Sequence, residues 1–364
     1  MIRSPYELDR AIGMLYYYID EPWPPLGARV PRPDGFVVVE EVSGTPCTRL
    51  SLGDVGDRYV YLMEKRGVDH YSAVRVASRA LGARVHFLGM KDSNALTYQL
   101  VYTFRPGPRE WSDGRVSLKF IGMASGRLEH TGNEFIVTLE GDTGGLRDRA
   151  SRLAEAGAIP AYFGYQRFGL TRPNSHLVGR AIVSGNLKEA VDLLLGRPFP
   201  SEPERWKEFR RLYDQGDLRE ALRVAPRPEA MVLRELMSSG DPARALRRYP
   251  ASPSFFIEAY QSYVFNLCLS RALELNEVPP AIRVPRRASD AEGVCREVMA
   301  SEGVTDLSSA KLGAYARDMV RPSMMQVRDL AVEGNRLSFS LARGMYATVV
   351  LRELLRQEPL LFAV

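Results

Sequence analysis

Gly89-Met90-Lys91-Asp92-Ser93-Asn94-Ala95-Leu96-Thr97-Tyr98-Gln99 is the stretch from which the rest of the chain can be read. It follows Val85-His86-Phe87-Leu88, a short apolar run that reads as a buried strand. It leads into Leu100-Val101-Tyr102-Thr103-Phe104, which reads as another. A turn after such a strand presents side chains where a cleft can form. Lys91 next to Asp92 can hold that carboxylate ionised, as a nucleophile or a base requires. Taken alone the pair is a weak motif, and a solvated Lys-Asp turn explains it more simply.

Working outward, Phe36 to Glu41, Tyr59 to Met63 and the alternating Glu134 to Glu140 also have strand character. Residues 70–81 carry Val74, Ala77 and Leu81 at helical spacing, and Leu146 to Ala156 reads as a second helix. Ser4-Pro5 resembles an N-cap followed by proline at the first helical position, opening a helix through about Tyr17. Pro22, Pro24, Pro25, Pro31 and Pro33 make residues 21–35 a loop. After about residue 160 the texture becomes helical, in 186–195, 202–213, 218–224, 229–237, 243–248 and a longer helix over 254–275. Strand character returns in Leu337 to Leu341, and a final helix follows from about Tyr346 to Arg356. A mixed sheet interrupted by a mostly helical insertion fits this order.

The composition is that of an ordinary globular chain: 364 residues, 45% hydrophobic and 26% charged. It excludes collagen, coiled coil and a disordered tail, and the length suggests two domains. No apolar run approaches the ~18 residues of a membrane span, and the first residues lack the apolar core of a secretory signal. Cys47, Cys268 and Cys295 are an odd number at wide spacing, so no disulfide framework is expected and a reducing cytoplasm is. The net charge is +5. Residues 160–250 hold 16 Lys plus Arg against 11 Asp plus Glu, so an excess of that size lies in this quarter alone. Arginine suits bidentate phosphate contact, but a GC-rich genome or ordinary surface imbalance accounts for the bias equally well.

Several chemistries drop out. No phosphate-binding loop, dinucleotide fingerprint or nucleophile elbow is present. His70, His86, His130 and His176 lie far apart, with no cysteine at metal-ligand spacing, so neither a metal nor a cofactor is expected. An aspartate-dependent hydrolase would need a second carboxylate or a metal cluster, and neither is visible. A carboxylate enzyme or a binding protein remains.

The segment at 89–99 resembles the G-x-K-D-x-x-A-x-T-x-Q signature of the TruD family of tRNA pseudouridine synthases. Further matches follow in family order over nearly the whole chain. Asp34-Gly35-Phe36 to Glu40 loosely resembles D-F-x-V-x-E, and Gly132-Asn133-Glu134-Phe135 resembles G-N-x-F. Pro160 to Gly169 resembles P-N-Y-F-G-x-Q-R-F-G, and Gln261 to Asn266 resembles Q-S-x-x-F-N. Gly344 to Thr348, with Arg352-Glu353-Leu354, resembles G-S-Y-A-T … R-E-L. The chain departs from the family at Gly35, which interrupts the Asp-Phe pair. It departs also at Ser93, usually basic, at Ala161, usually Asn, and at Ala342 and Met345, usually Pro and Ser. Loss of the basic residue at 93 puts one substrate contact in question, not the nucleophile.

The resemblance implies an α+β fold: the pseudouridine-synthase core, a mixed and mostly antiparallel sheet with flanking helices, carrying a mostly helical insertion. The expected domains are residues 1–159 and 321–364 for the core and 160–320 for the insertion, with the active cleft between them. The implied activity is isomerisation of uridine to pseudouridine in tRNA at position 13, by a monomer without cofactor. The alternative is a tRNA-binding or RNA-folding protein on the same scaffold without catalysis. Asp92 falls on the catalytic aspartate, Phe135 on the aromatic that packs against the base, and Asn133 on a polar neighbour. The residues themselves leave room for plainer roles. Without the resemblance, Phe135 reads more simply as strand core and Asn133 as a turn residue, while Arg167 is as readily an ion-pair partner as a phosphate contact. Tyr346 lines the base pocket or caps the last helix, and Lys91 tunes Asp92 or meets an RNA phosphate.

Overall fold

The computed structural model describes residues 1–91 and 94–363, which form two compact units. One comprises residues 22–159 with 325–362, the other residues 1–21 with 160–324.

The first unit is built on a sheet of ten strands. From one side its main path runs Arg328–Glu333, Arg336–Ala342, His130–Thr138, Phe36–Val42, Leu96–Thr103, Arg58–Arg66, Val116–Ala124 and Glu110–Ser112. Neighbours pair antiparallel except Phe36–Val42 with Leu96–Thr103, which run parallel. Both faces are covered. On one, Tyr61, Met63, Val101 and Leu118 pack under Ala73, Ala77 and Leu81 of the helix His70–Ala80 and the residue after it. On the other, Val39, Val60, Leu100 and Ala124 close over Cys47. Covering both faces turns the parallel-paired strand Phe36–Val42 into a nearly continuous apolar run. That helix starts where Asp69 accepts a hydrogen bond from the Ser72 amide at 2.9 Å, an N-cap in sequence and in geometry.

The strand Val116–Ala124 has no counterpart in the sequence reading. Lys119 and Gly122 break its pattern, and the register slips opposite Val60 and Tyr61, beside Gly122 at φ 128°. A bulge of this kind costs the strand its simple alternation.

The second unit is helical, arranged around the buried helix Pro253–Glu274, which the helix Ser175–Val183 packs against. The first 21 residues belong to this unit. Asn266 donates to the Ile12 carbonyl at 2.8 Å, Ser270 to that of Gly13 at 2.8 Å, and Tyr165 to Asp9 at 2.5 Å. The expected N-terminal helix is short. Glu7–Ala11 ends before Gly13, and Tyr16–Tyr17 instead pairs with Ile2–Arg3. Gly13 stands at φ 79°, and a Cβ there would come within 3.0 Å of the Asn266 Cβ. Tertiary packing, not local propensity, stops the helix.

The cysteine expectation is corrected as well. Cys268 and Cys295 are joined by a disulfide with a Cα–Cα distance of 5.1 Å. Their 27-residue separation gave no hint of pairing, but the helices Pro253–Glu274 and Gly293–Ser301 pack side by side and bring them together. Among the described residues, no helix is long and apolar enough to cross a membrane.

Candidate active site

The strand register sets one row of side chains across the sheet: Lys65, Thr97, Val38, Phe135 and Phe339 are successive Cα partners on five strands. The adjoining level on the same face carries Glu40, Asn133 and Leu341. Strand spacing near 4.8 Å makes the row about 19 Å wide. One end is charged and polar, the other aromatic.

The turn carrying Met90 and Lys91 meets the sheet at the adjoining level, on the strands Phe36–Val42 and His130–Thr138. Lys91 does not reach for solvent. Its side chain is 3% exposed, and Nζ donates to Glu40 Oε1 at 2.7 Å. Glu40 is fully buried, and its Oε2 accepts the Leu100 amide at 2.9 Å. That bond carries the ladder one step beyond the Val39–Tyr98 pair, where the parallel pairing of the two strands stops. Lys91 Nζ also lies 3.3 Å from His130 Nε2, and the same ring nitrogen lies 3.3 Å from Asn133 Oδ1. Glu40, Lys91, His130 and Asn133 thus form a continuous polar chain from three parts of the sequence. Burial, then the Lys91 ammonium, hold His130 below the usual histidine range, so the ring is neutral near pH 7.

Gly89 is required by this packing. A Cβ at that position would lie 2.7 Å from His130 Nδ1 and 3.3 Å from Glu40 Oε1. The glycine that opens the 89–99 segment is therefore there for close approach. Beside the chain sit His70 and Gln99, with Lys65 donating to the Val68 carbonyl at 3.0 Å. Burial and the Lys65 and Lys91 charges push His70 down as well. Cys47, behind the sheet, is no nucleophile at neutral pH, because burial and Glu40 push its thiol up to about 12.

At the aromatic end Phe135 is 6% exposed. Its ring stacks on Phe339 at 5.5 Å and tilts against Phe36 at 6.0 Å, and Arg32 lies over Phe36 at 3.8 Å. Tyr346 is half-buried and occupies the N-cap position of the helix Ala347–Leu355, without a side-chain capping bond.

The structure brings four of the six expected residues into the sheet unit: Lys91, Asn133 and Phe135 around one stretch of sheet, and Tyr346 at a helix start. Asp92, with Ser93, lies outside the described residues. Arg167 belongs to the helical unit, where Nε donates to Ser262 at 3.0 Å and Nη2 pairs with Glu258 at 3.5 Å. Sequence reasoning missed Glu40 and His130. Glu40 carried a signal, a carboxylate inside an apolar strand. His130 was passed over as one of four scattered histidines.

Comparison with known proteins bears on the chain as a whole. The family model described as "tRNA pseudouridine synthase D (TruD)" matches residues 11–282. A protein of Sulfurisphaera tokodaii named "Probable tRNA pseudouridine synthase D" is 36% identical over 361 residues, covering 96% of this chain and 99% of that one. One of Saccharolobus solfataricus with the same name is 37% identical over 374 residues, covering 98% and 99%. The crystal structure of the "Putative tRNA pseudouridine synthase D (TruD)" from Methanosarcina mazei shares the fold, with a TM-score of 0.75 at 24% identity, over 98% of this chain and 99% of that one.

Proposed function

The chain belongs to the TruD family of tRNA pseudouridine synthases and isomerises uridine to pseudouridine in tRNA, and from that premise we propose that position 13 is its target and Asp92 its catalytic carboxylate. The reaction cuts the N1 glycosidic bond, turns the uracil while it is held, and forms a carbon–carbon bond from C5 to C1′. The proton lost from C5 is balanced by the one gained at N1, so no co-reactant is consumed. A carboxylate serves each available route: attack on C1′, attack on C6 of the base, or removal of the 2′ proton. Each of them needs it ionised.

The observation that carries this reading is the buried Lys91 ammonium, held by Glu40 and immediately preceding Asp92 in the chain. A fixed positive charge near a carboxylate favours its ionised form. At 3% exposure Lys91 suits that task better than a phosphate contact. Phe135 supplies an aromatic face for the uracil once it leaves the tRNA stack, worth ~1–3 kcal/mol against the few kcal/mol that flipping costs. Asn133 offers amide hydrogen bonds beside that face, and Tyr346 adds a further ring. Arg167 grips a tRNA phosphate in competition with Glu258. The sheet unit carries the chemistry, and the helical unit, with its arginine excess, helps to hold the tRNA.

Asp92→Asn tests the assignment. The variant should keep the fold and near-normal tRNA affinity but form no pseudouridine, as read by carbodiimide mapping of treated tRNA. Substantial turnover by the variant refutes the role of Asp92. Pseudouridine formed by the native chain elsewhere than at position 13 refutes the target.

A further inference from the structure

His130 stands at a junction that the reaction as described leaves unused. It is 9% exposed, and Nε2 lies 3.3 Å from both Lys91 Nζ and Asn133 Oδ1. An ammonium has only protons to offer. A protonated Nε2 would set donor against donor, and an imidazolium would set charge against charge. Lys91 finds an acceptor on the ring only when Nε2 presents its lone pair to it, and Asn133 Oδ1, at the same 3.3 Å from Nε2, is then a polar neighbour of the ring rather than its hydrogen-bond partner. The ring proton then sits on Nδ1, which is buried, has no hydrogen-bond partner among the described residues, and faces the Gly89 backbone.

We propose that His130 is a positioning residue for the isomerisation: as the neutral Nδ1–H tautomer it accepts a hydrogen bond from Lys91 and fixes the direction of the ammonium that precedes Asp92 in the chain. Glu40 supplies the charge that balances Lys91, and His130 supplies direction. With one carboxylate and one imidazole on adjacent strands, the ammonium is held from two sides rather than swinging about a single partner. Every charged group found to act on the ring is accounted for: Lys91 and Arg343 oppose its protonation, and Glu40 favours it. Burial adds to the opposition, and the balance keeps the ring neutral. Acid therefore acts on this junction: once the ring protonates, two cations face each other at 3.3 Å and the hold on Lys91 is lost. The inference rests on the proposed role of Asp92 and adds a second control over it.

Single-turnover pseudouridine formation, tRNA affinity and melting temperature would be measured for the native chain, His130→Leu and His130→Gln, across pH. A hydrogen bond to a charged group is worth enough that His130→Leu should lose about 10- to 100-fold in rate. Its tRNA affinity should stay within about twofold of native, since the Lys91 ammonium is buried against Glu40. His130→Gln, whose carbonyl can accept from Lys91, should recover most of that loss. The native rate should fall as pH drops below the ordinary histidine value of 6.5, and this limb should vanish in the glutamine variant. Nitrogen NMR of labelled imidazoles, assigned by the loss of one signal in His130→Gln, should show the Nδ1–H tautomer. A native-like rate in His130→Leu, a rate loss that only follows the folded fraction, an unchanged acid limb in His130→Gln, or an Nε2–H tautomer would each overturn the inference. Should the leucine variant not fold, the acid limb and the tautomer still decide. A native chain that forms no pseudouridine would instead refute the proposed function, and the tautomer measurement would still stand.

Discussion

Replacing Glu40 by glutamine changes one atom and removes one buried charge, and its cost can be worked from the contacts around it. Glu40 Oε1 accepts from Lys91 at 2.7 Å and Oε2 from the Leu100 amide at 2.9 Å. Both oxygens face donors. A glutamine can satisfy only one of them, and its NH2 must confront the other. If the amide oxygen serves Leu100, the NH2 meets an ammonium whose side chain is 3% exposed. Breaking a buried ion pair from one side costs about 3–5 kcal/mol, because the remaining charge has neither water nor a counter-ion. For a unit of this size that is a fall in melting temperature of about 6–20 °C. Lys91→Met strands the carboxylate instead and should cost a similar amount. Glu40→Gln with Lys91→Met removes both charges of the pair and keeps an acceptor for Leu100. Its cost should therefore fall well below the sum of the two singles, by about 3 kcal/mol or more. Denaturant titration of all four proteins measures each term. Singles that add in the double variant, or a Glu40→Gln variant melting with the native chain, would refute a tightly coupled buried pair.

Two further outcomes are expected. Phe135→Ala removes a 6% exposed ring between Phe36 and Phe339, so it should cost ~3–5 kcal/mol in stability. Its low-temperature turnover, corrected for the folded fraction, should fall about 10- to 100-fold more through lost base stacking, while Phe135→Tyr keeps most activity; turnover that follows only the folded fraction returns the ring to a purely structural role. Cys268→Ser opens a cross-link spanning 27 residues of the helical unit. The chain-entropy estimate for a loop of that length is ~3.5 kcal/mol, read by denaturant unfolding with and without reductant. Native stability that is indifferent to reductant would refute a stabilising cross-link.

The sequence by itself determined which elements exist wherever their patterns are local. The helices 146–156 and 218–224 lie where periodicity places them. The family, and with it the activity, was legible because the short motifs around Gly89, Gly132, Pro160, Gln261 and Gly344 occur in a fixed order. Such order survives without knowledge of any contact. The irregular strand Val116–Ala124 was not legible, because a bulge at Gly122 destroys the alternation that periodicity reads.

Only the tertiary structure decided what depends on residues distant in the chain. The first helix stops at Ala11 because Gly13 must lie against Asn266, more than 250 residues away. Cys268 and Cys295 pair because two helices pack, not because of their spacing. Lys91 turned out to be buried because Glu40, 51 residues earlier, and His130, 39 residues later, converge on its ammonium. No pattern in a linear chain records that convergence. It follows from strand register, which sets Glu40 opposite Asn133 and carries Lys65, Thr97, Val38, Phe135 and Phe339 across one face. Register is fixed by the burial of whole strands at once. The residue types needed for the chemistry could therefore be read in advance, while the partners that hold them in place could not.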